Sequence, residues 1–130
     1  MAVGYVAALR NARLDAITTF VGSGGKLAIF SGTRPATGGT ATTELARFPL
    51  GTPFAGASSA GVLTANNPSD VNAAATGTAT WARVFKADGT TICIDLGVGT
   101  SGQEITMNSV SLQSGVACSI TSIVITSGNP

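Results

Sequence analysis

From Lys26 onward, apolar and polar residues alternate in short runs, and clusters of Gly, Pro, Asn, Asp or Ser interrupt them every ~8–12 residues. A period of two belongs to a strand with one face buried. Repeated at that spacing, it favours an antiparallel sandwich or barrel over alternating strand-helix units. The runs are Lys26–Ser31, Thr42–Leu50, Gly61–Ala65, Val71–Ala75, Thr78–Ala87, Thr90–Val98, Glu104–Leu112 and Val116–Thr126. In the last two the apolar phase slips, at Asn108-Ser109 and near Ser122, which predicts bulges. Pro49 and Pro53 keep the end of the second run at a sheet edge.

The sharpest local signal is Asp88-Gly89, the residues favoured in a type I′ turn. A two-residue loop there sets Ala87 opposite Thr90, Phe85 opposite Ile92, Arg83 opposite Ile94 and Trp81 opposite Leu96. Trp81, Phe85, Ile92, Ile94 and Leu96 then share the core face. Val84 and Cys93 meet on the other face, and Asp95 lies there opposite Ala82.

One segment departs from this period. Between Val3 and Val21, Val6, Leu9, Ala12, Ala16 and Phe20 recur in steps of three and four, with Leu14, Ile17 and Val21 beside them. Arg10, Arg13 and Asp15 fall largely away from that stripe. Gly22 stands where a left-handed residue would end the helix, and Ser23-Gly24-Gly25 reads as a joint. The expected fold is mostly β: an antiparallel, jelly-roll-like sandwich over residues 23–130 with an N-terminal helical arm over residues 1–22. Two roles are open to the arm. It packs on its own sandwich, or it reaches a neighbouring subunit about the Gly22–Gly25 hinge.

Composition narrows the function. Gly, Ala, Thr and Ser fill just over half of the 130 residues. Only 10% are charged, the net charge is +1 and there is no His. Imidazole-dependent catalysis is excluded, and electrostatic nucleic-acid or membrane binding is not the expected mode. Asp15, Glu44, Asp70, Asp88, Asp95 and Glu104 form no acid/base motif, so no catalytic, cofactor or metal site is expected. Gly22-Ser23-Gly24-Gly25-Lys26 superficially resembles a phosphate loop but stands after a helix and before a strand, the reverse of the required order. Cys93 and Cys118 lack a zinc spacing and read as buried apolar residues in a reducing compartment, with a single disulfide as the alternative. No positively charged stretch precedes the first apolar run, so no signal peptide is expected, and no run is long enough for a transmembrane helix. Few charges and many small side chains suit broad contact with other subunits rather than solitary solubility.

Three elements are candidates for such contact. They are the helix stripe (Val6, Leu9, Ile17 and Phe20), Arg34 on its glycine-flanked loop, and Arg83, which interrupts an apolar row. For Arg83 two roles stand side by side. Its stem packs flat while the guanidinium reaches a rim or an aromatic ring, or it bridges to another subunit.

Leu9–Ile17 (LRNARLDAI), Leu27–Ala36 (LAIFSGTRPA), Gly61–Asn66 (GVLTAN) and Trp81–Phe85 (WARVF) together resemble a family of small structural proteins of tailed-bacteriophage virions. That resemblance implies a capsid cement or decoration protein with a jelly-roll-like fold. It would be made in the host cytoplasm and sit on the capsid exterior as a dimer or trimer that bridges major capsid subunits. It implies no catalytic residue and no cofactor. The competing expectations are a tail, neck or fibre component and a carbohydrate-binding module, the latter requiring an exposed aromatic platform such as Trp81.

Overall fold

The computed structural model describes residues 4–51 and 53–126. It is mostly β and sandwich-like, with one helix at the N-terminal end, α1 (Ala7–Val21). The expected helix start at Val3 lies outside the described residues. Eleven strands follow: β1 (Lys26–Phe30), β2 (Glu44–Pro49), β3 (Val62–Thr64), β4 (Val71–Asn72), β5 (Gly77–Thr78), β6 (Trp81–Phe85), β7 (Ile92–Gly99), β8 (Ile105–Met107), β9 (Ser111–Leu112), β10 (Ala117–Cys118) and β11 (Ile120–Thr126). Seven of them form one sheet in the order β2-β1-β6-β7-β8-β11-β3, and the pairs β10-β4 and β5-β9 make small sheets beside it. The large sheet is mixed: β7 and β8 run parallel through Val98↔Ile105 and Gly99↔Thr106. The phase slips foreseen in the last two runs appear as the break between β8 and β9 and as a register shift between Ile120 and Ser122 in β11.

The Asp88-Gly89 hairpin forms, with a different turn and register. Lys86 N–H donates to Thr91 O, so the loop holds four residues rather than two. Gly89 alone takes a positive φ (73°), while Asp88 caps the turn by accepting from Thr90 N–H and Thr91 N–H. A type I′ turn would need positive φ at both central positions. Further along, Phe85 pairs with Ile92, but Val84 pairs with Ile94, leaving Cys93 as a bulge. Every later partner moves by one: Arg83 faces Asp95, Ala82 faces Leu96 and Trp81 faces Gly97.

That single extra residue redistributes the expected core row over both faces of the sheet. Ile94 and Leu96 join Ala82 and Val84 on the inner face, in a cluster with Leu27, Ile29, Phe48, Leu63, Ile105 and Ile123. Trp81, Phe85 and Ile92 lie on the outer face with Ala28 and Phe30. Trp81 and Phe30 stack with centroids 4.3 Å apart. All five residues of β6 are buried, so this strand is covered on both sides.

The helix is seated on the inner face. Leu14 and Val21 belong to the same cluster as the strands, and Ile17 packs against it. Gly22 N–H closes the last turn onto Thr18 O. Gly25 then passes so close to the helix end and β6 that a Cβ would stand 2.6 Å from Val21 Cγ1 and 2.9 Å from Phe85 O. The expected hinge is therefore a packed joint that accepts only glycine at this point.

Val84 and Ile94 face each other, yet Val84 is fully buried while Ile94 is partly open. Val84→Asp should abolish folding, because it buries a carboxylate with no partner. Ile94→Asp should remain folded with a lower midpoint, contrary to the facing expected from the unbulged hairpin. Urea titration followed by circular dichroism separates the two outcomes.

Candidate interaction surface

Two places gather the residues singled out by sequence. The first is the outward side of α1. Val6 is 71% exposed, Leu9 46% and Phe20 50%, whereas Leu14 and Val21 are buried. Of the two roles open to the arm, the helix packs on its own sandwich, but through the flank of the stripe: Val6, Leu9 and Phe20 point to solvent while Ile17 leans on the core. Polar anchors explain the rotation. Asp15 Oδ1 accepts from Ser58 N–H (2.8 Å), Asn11 Oδ1 accepts from Gly61 N–H (2.9 Å), and the Ser58 hydroxyl donates to Asn11 O (2.9 Å). These bonds satisfy backbone donors in the turn before β3, where Ala60 holds a positive φ of 53°. Apolar residues surround most of the helix, so the polar bonds select which side docks.

Beside the exposed stripe, α1 and β7 enclose a groove of about 280 Å³ lined by Arg13, Ala16, Ile17, Phe20, Cys93 and Ile94. Of the four helix residues named from the sequence, Ile17 and Phe20 meet here, while Leu9 and Val6 lie one and two turns or more toward the N-terminal end of α1. Cys93 was expected to be buried; the bulge leaves it partly open, and Cys118 is the buried one. Both are free thiols, and burial is the main influence pushing each pKa upward, so both stay protonated near neutrality. Cys93 and the groove follow from the bulge, which nothing in the alternation of that hairpin announced.

The second place unites Arg34 and Arg83. Arg83 is 3% exposed, with its Cζ 5.0 Å from the Trp81 ring centroid. Its Nε and Nη2 donate to the two oxygens of Asp95 at 2.7 and 3.1 Å. The loop between β1 and β2 closes over this pair. Gly38 N–H donates to Asp95 Oδ2 (3.0 Å), Arg34 Nη2 donates to Asp95 O (3.0 Å), and Trp81 Nε1 donates to Thr42 Oγ1 (2.9 Å). Burial works to raise the Asp95 pKa, but the Arg83 bonds, the Gly38 N–H and the charge of Arg34 outweigh it and hold the carboxyl below its ordinary value. Arg83 is therefore a core ion pair and not a surface contact: a charge that deep is tolerated only beside its counter-ion. Arg34 is exposed, but its guanidinium is tied to the same strand. The sequence carried a signal for this pair, two opposite charges one residue out of register in apolar strands.

Trp81 is fully buried and stacked on Phe30, so it forms no aromatic platform for a sugar. Among the described residues no cluster of His, Cys, Asp or Glu is disposed to hold a metal ion, and no helix is long and apolar enough to cross a membrane.

Removing the Asp95 carboxylate strands the Arg83 charge. Asp95→Ala should cost about 3–5 kcal/mol in chemical denaturation. The double change Arg83→Met/Asp95→Leu should cost less than that single one, because no uncompensated ion remains. Asp95 also sets a pH dependence. Its folded pKa is depressed, so its contribution is complete above the unfolded value of about 3.9 and is lost as pH falls through the lower folded value. Unfolding free energy measured between pH 6 and acid should fall in that window. Asp95→Asn should show a shallower decline, with Asp88, lowered to about 2 by its Thr91 and Thr90 bonds, supplying part of what remains.

Comparison with known proteins returned no match: no family model, no curated protein and no solved structure matches this chain.

Proposed function

We propose that this chain is a structural protein of a tailed-phage particle. In this reading it acts as a capsid cement protein on the exterior of the head, holding neighbouring major capsid subunits together without catalysis. The observation that carries the reading is the outward side of α1. An apolar stripe of Val6, Leu9 and Phe20 faces solvent on a helix whose opposite side is locked to the domain by Leu14, Val21, Asn11 and Asp15. A rigid, preformed apolar ridge binds at little ordering cost, which suits a subunit that adds contact area to an assembly. The disposition of the carboxylates supports the same reading. Asp15, Asp88, Asp95 and Glu104 all accept hydrogen bonds from the backbone, and Glu44 pairs with Arg47 at 2.8 Å. Five of the six acids are thus engaged by backbone N–H groups or by an arginine rather than paired with another acid across a cleft. A dimeric or trimeric state and a jelly-roll-like fold belong to the same proposal, and many weak contacts on one shell then act together.

Mass spectrometry of purified phage particles from a host carrying this chain tests the reading. A copy number of the same order as the major capsid protein is expected. A handful of copies per particle would move the chain to the tail, neck or a fibre, and absence from particles would overturn a virion role. Leu9→Asp/Phe20→Asp should lower the unfolding free energy by no more than about 2 kcal/mol and leave the chain folded, since each side chain keeps about half of its surface in solvent. The same variant should be lost from purified particles.

A further inference from the structure

The groove between α1 and β7 has a charge pattern that states what can fill it. Its floor and walls are Ala16, Ile17, Phe20, Cys93 and Ile94, with Arg13 at one side. Lys86 stands over Phe20, its Nζ 4.1 Å from the ring centroid, and Arg13 stands over Tyr5 at 5.0 Å. Arg13 and Phe20 are two helical turns apart, roughly 10 Å along the backbone of α1, so one cation stands toward each end of the apolar floor. Among the described residues the ion pairs are Arg47–Glu44 and Arg83–Asp95, so neither flanking cation is matched by a carboxylate. The acids closest in sequence keep their charge but are held by other partners, and the charge of Asp88 reaches Cys93 together with that of Lys86. Asp15 accepts from Ser58 N–H on the docked side of α1, and Asp88 accepts from Thr90 and Thr91 N–H within its own turn.

We infer that this groove seats an apolar segment flanked by carboxylates, contributed by a protein other than this chain. The inference rests on the docking role proposed for the outer side of α1 and specifies its partner. Apolar anchors fill the space over Ile17, Phe20 and Ile94, while carboxylates at either end meet Arg13 and Lys86. A second copy fits poorly. Two-fold docking of this groove on itself brings Arg13 and Lys86 of one protomer toward the same cations of the other. Cys93 reports on the site, because it lines the groove while Cys118 is buried.

Two synthetic amphipathic helical peptides test the inference with the full chain. Both carry Leu at positions i, i+3, i+4 and i+7, and they differ only in having Glu or Lys at the flanking positions. Fluorescence anisotropy should find the Glu peptide bound roughly fivefold or more tightly than the Lys peptide, with the difference shrinking as salt is added. The Glu peptide should also slow iodoacetamide labelling of Cys93. Arg13→Glu/Lys86→Glu, both at surface positions, should reverse the peptide preference without changing the unfolding midpoint by more than a small shift. Equal binding of both peptides, binding of neither, or binding that leaves Cys93 labelling unchanged overturns the inference. Concentration-dependent protection of Cys93 by the chain alone, together with dimers in sedimentation, overturns it in favour of a second copy. None of these results depends on particle copy number, so the virion role and the acidic partner can fail separately.

Discussion

The buried contact between Arg83 and Asp95 is the constraint around which the rest of the sheet is arranged. β6 is covered on both faces, and its outer face places a guanidinium where an aliphatic side chain would ordinarily stand. An ion at that depth is costly unless its counter-ion sits opposite and its remaining donors and acceptors are used. The Cys93 bulge brings Asp95 into position, and the β1–β2 loop completes the enclosure through Gly38, Arg34 and Thr42. One ion pair thereby connects the hairpin register, the stacking of Trp81 on Phe30 and the course of a long loop that has no regular structure of its own.

The helix follows a related logic. Its docked side is selected by Asn11 and Asp15, which accept from backbone N–H groups of the Ser58–Gly61 turn, as much as by Leu14 and Val21. Hydrogen bonds are directional, whereas apolar burial rewards any of several rotations of a helix with hydrophobic residues all round. The rotation that satisfies the turn leaves Val6, Leu9 and Phe20 outside. An apolar ridge held this firmly costs a free protein solubility and suits one that spends its life against a neighbour, which is why the proposed role lies in assembly.

Much of the architecture could be read from alternation and turn chemistry. β1, β2, β3 and the β6–β7 hairpin fall within the runs bounded by Gly, Pro, Asn and Asp, because a pleated strand with a buried face imposes its period on the residues directly. The bulge in β11 was likewise visible as a slip of phase near Ser122. The Cys93 bulge was not, since Ile92, Cys93 and Ile94 are all apolar and any phase satisfies them. The parallel pairing of β7 with β8 also left no trace, because strand direction depends on the path of the connecting Gly99–Glu104 segment rather than on the strands it joins.

By itself, the order of residues determined a helix followed by a mostly β chain, the position of the Asp88-Gly89 turn, and a surface poor in charge, since each arises from contacts between near neighbours or from composition alone. Only the tertiary structure decided which side of α1 faces outward, that Arg83 meets Asp95, and that Cys93 opens onto a groove. Those outcomes turn on a one-residue register and on bonds between segments some fifty positions apart, such as Asn11 with Gly61 and Gly38 with Asp95. At that range no periodic signal survives, and the cost of leaving a buried charge or a backbone N–H without a partner makes the choice.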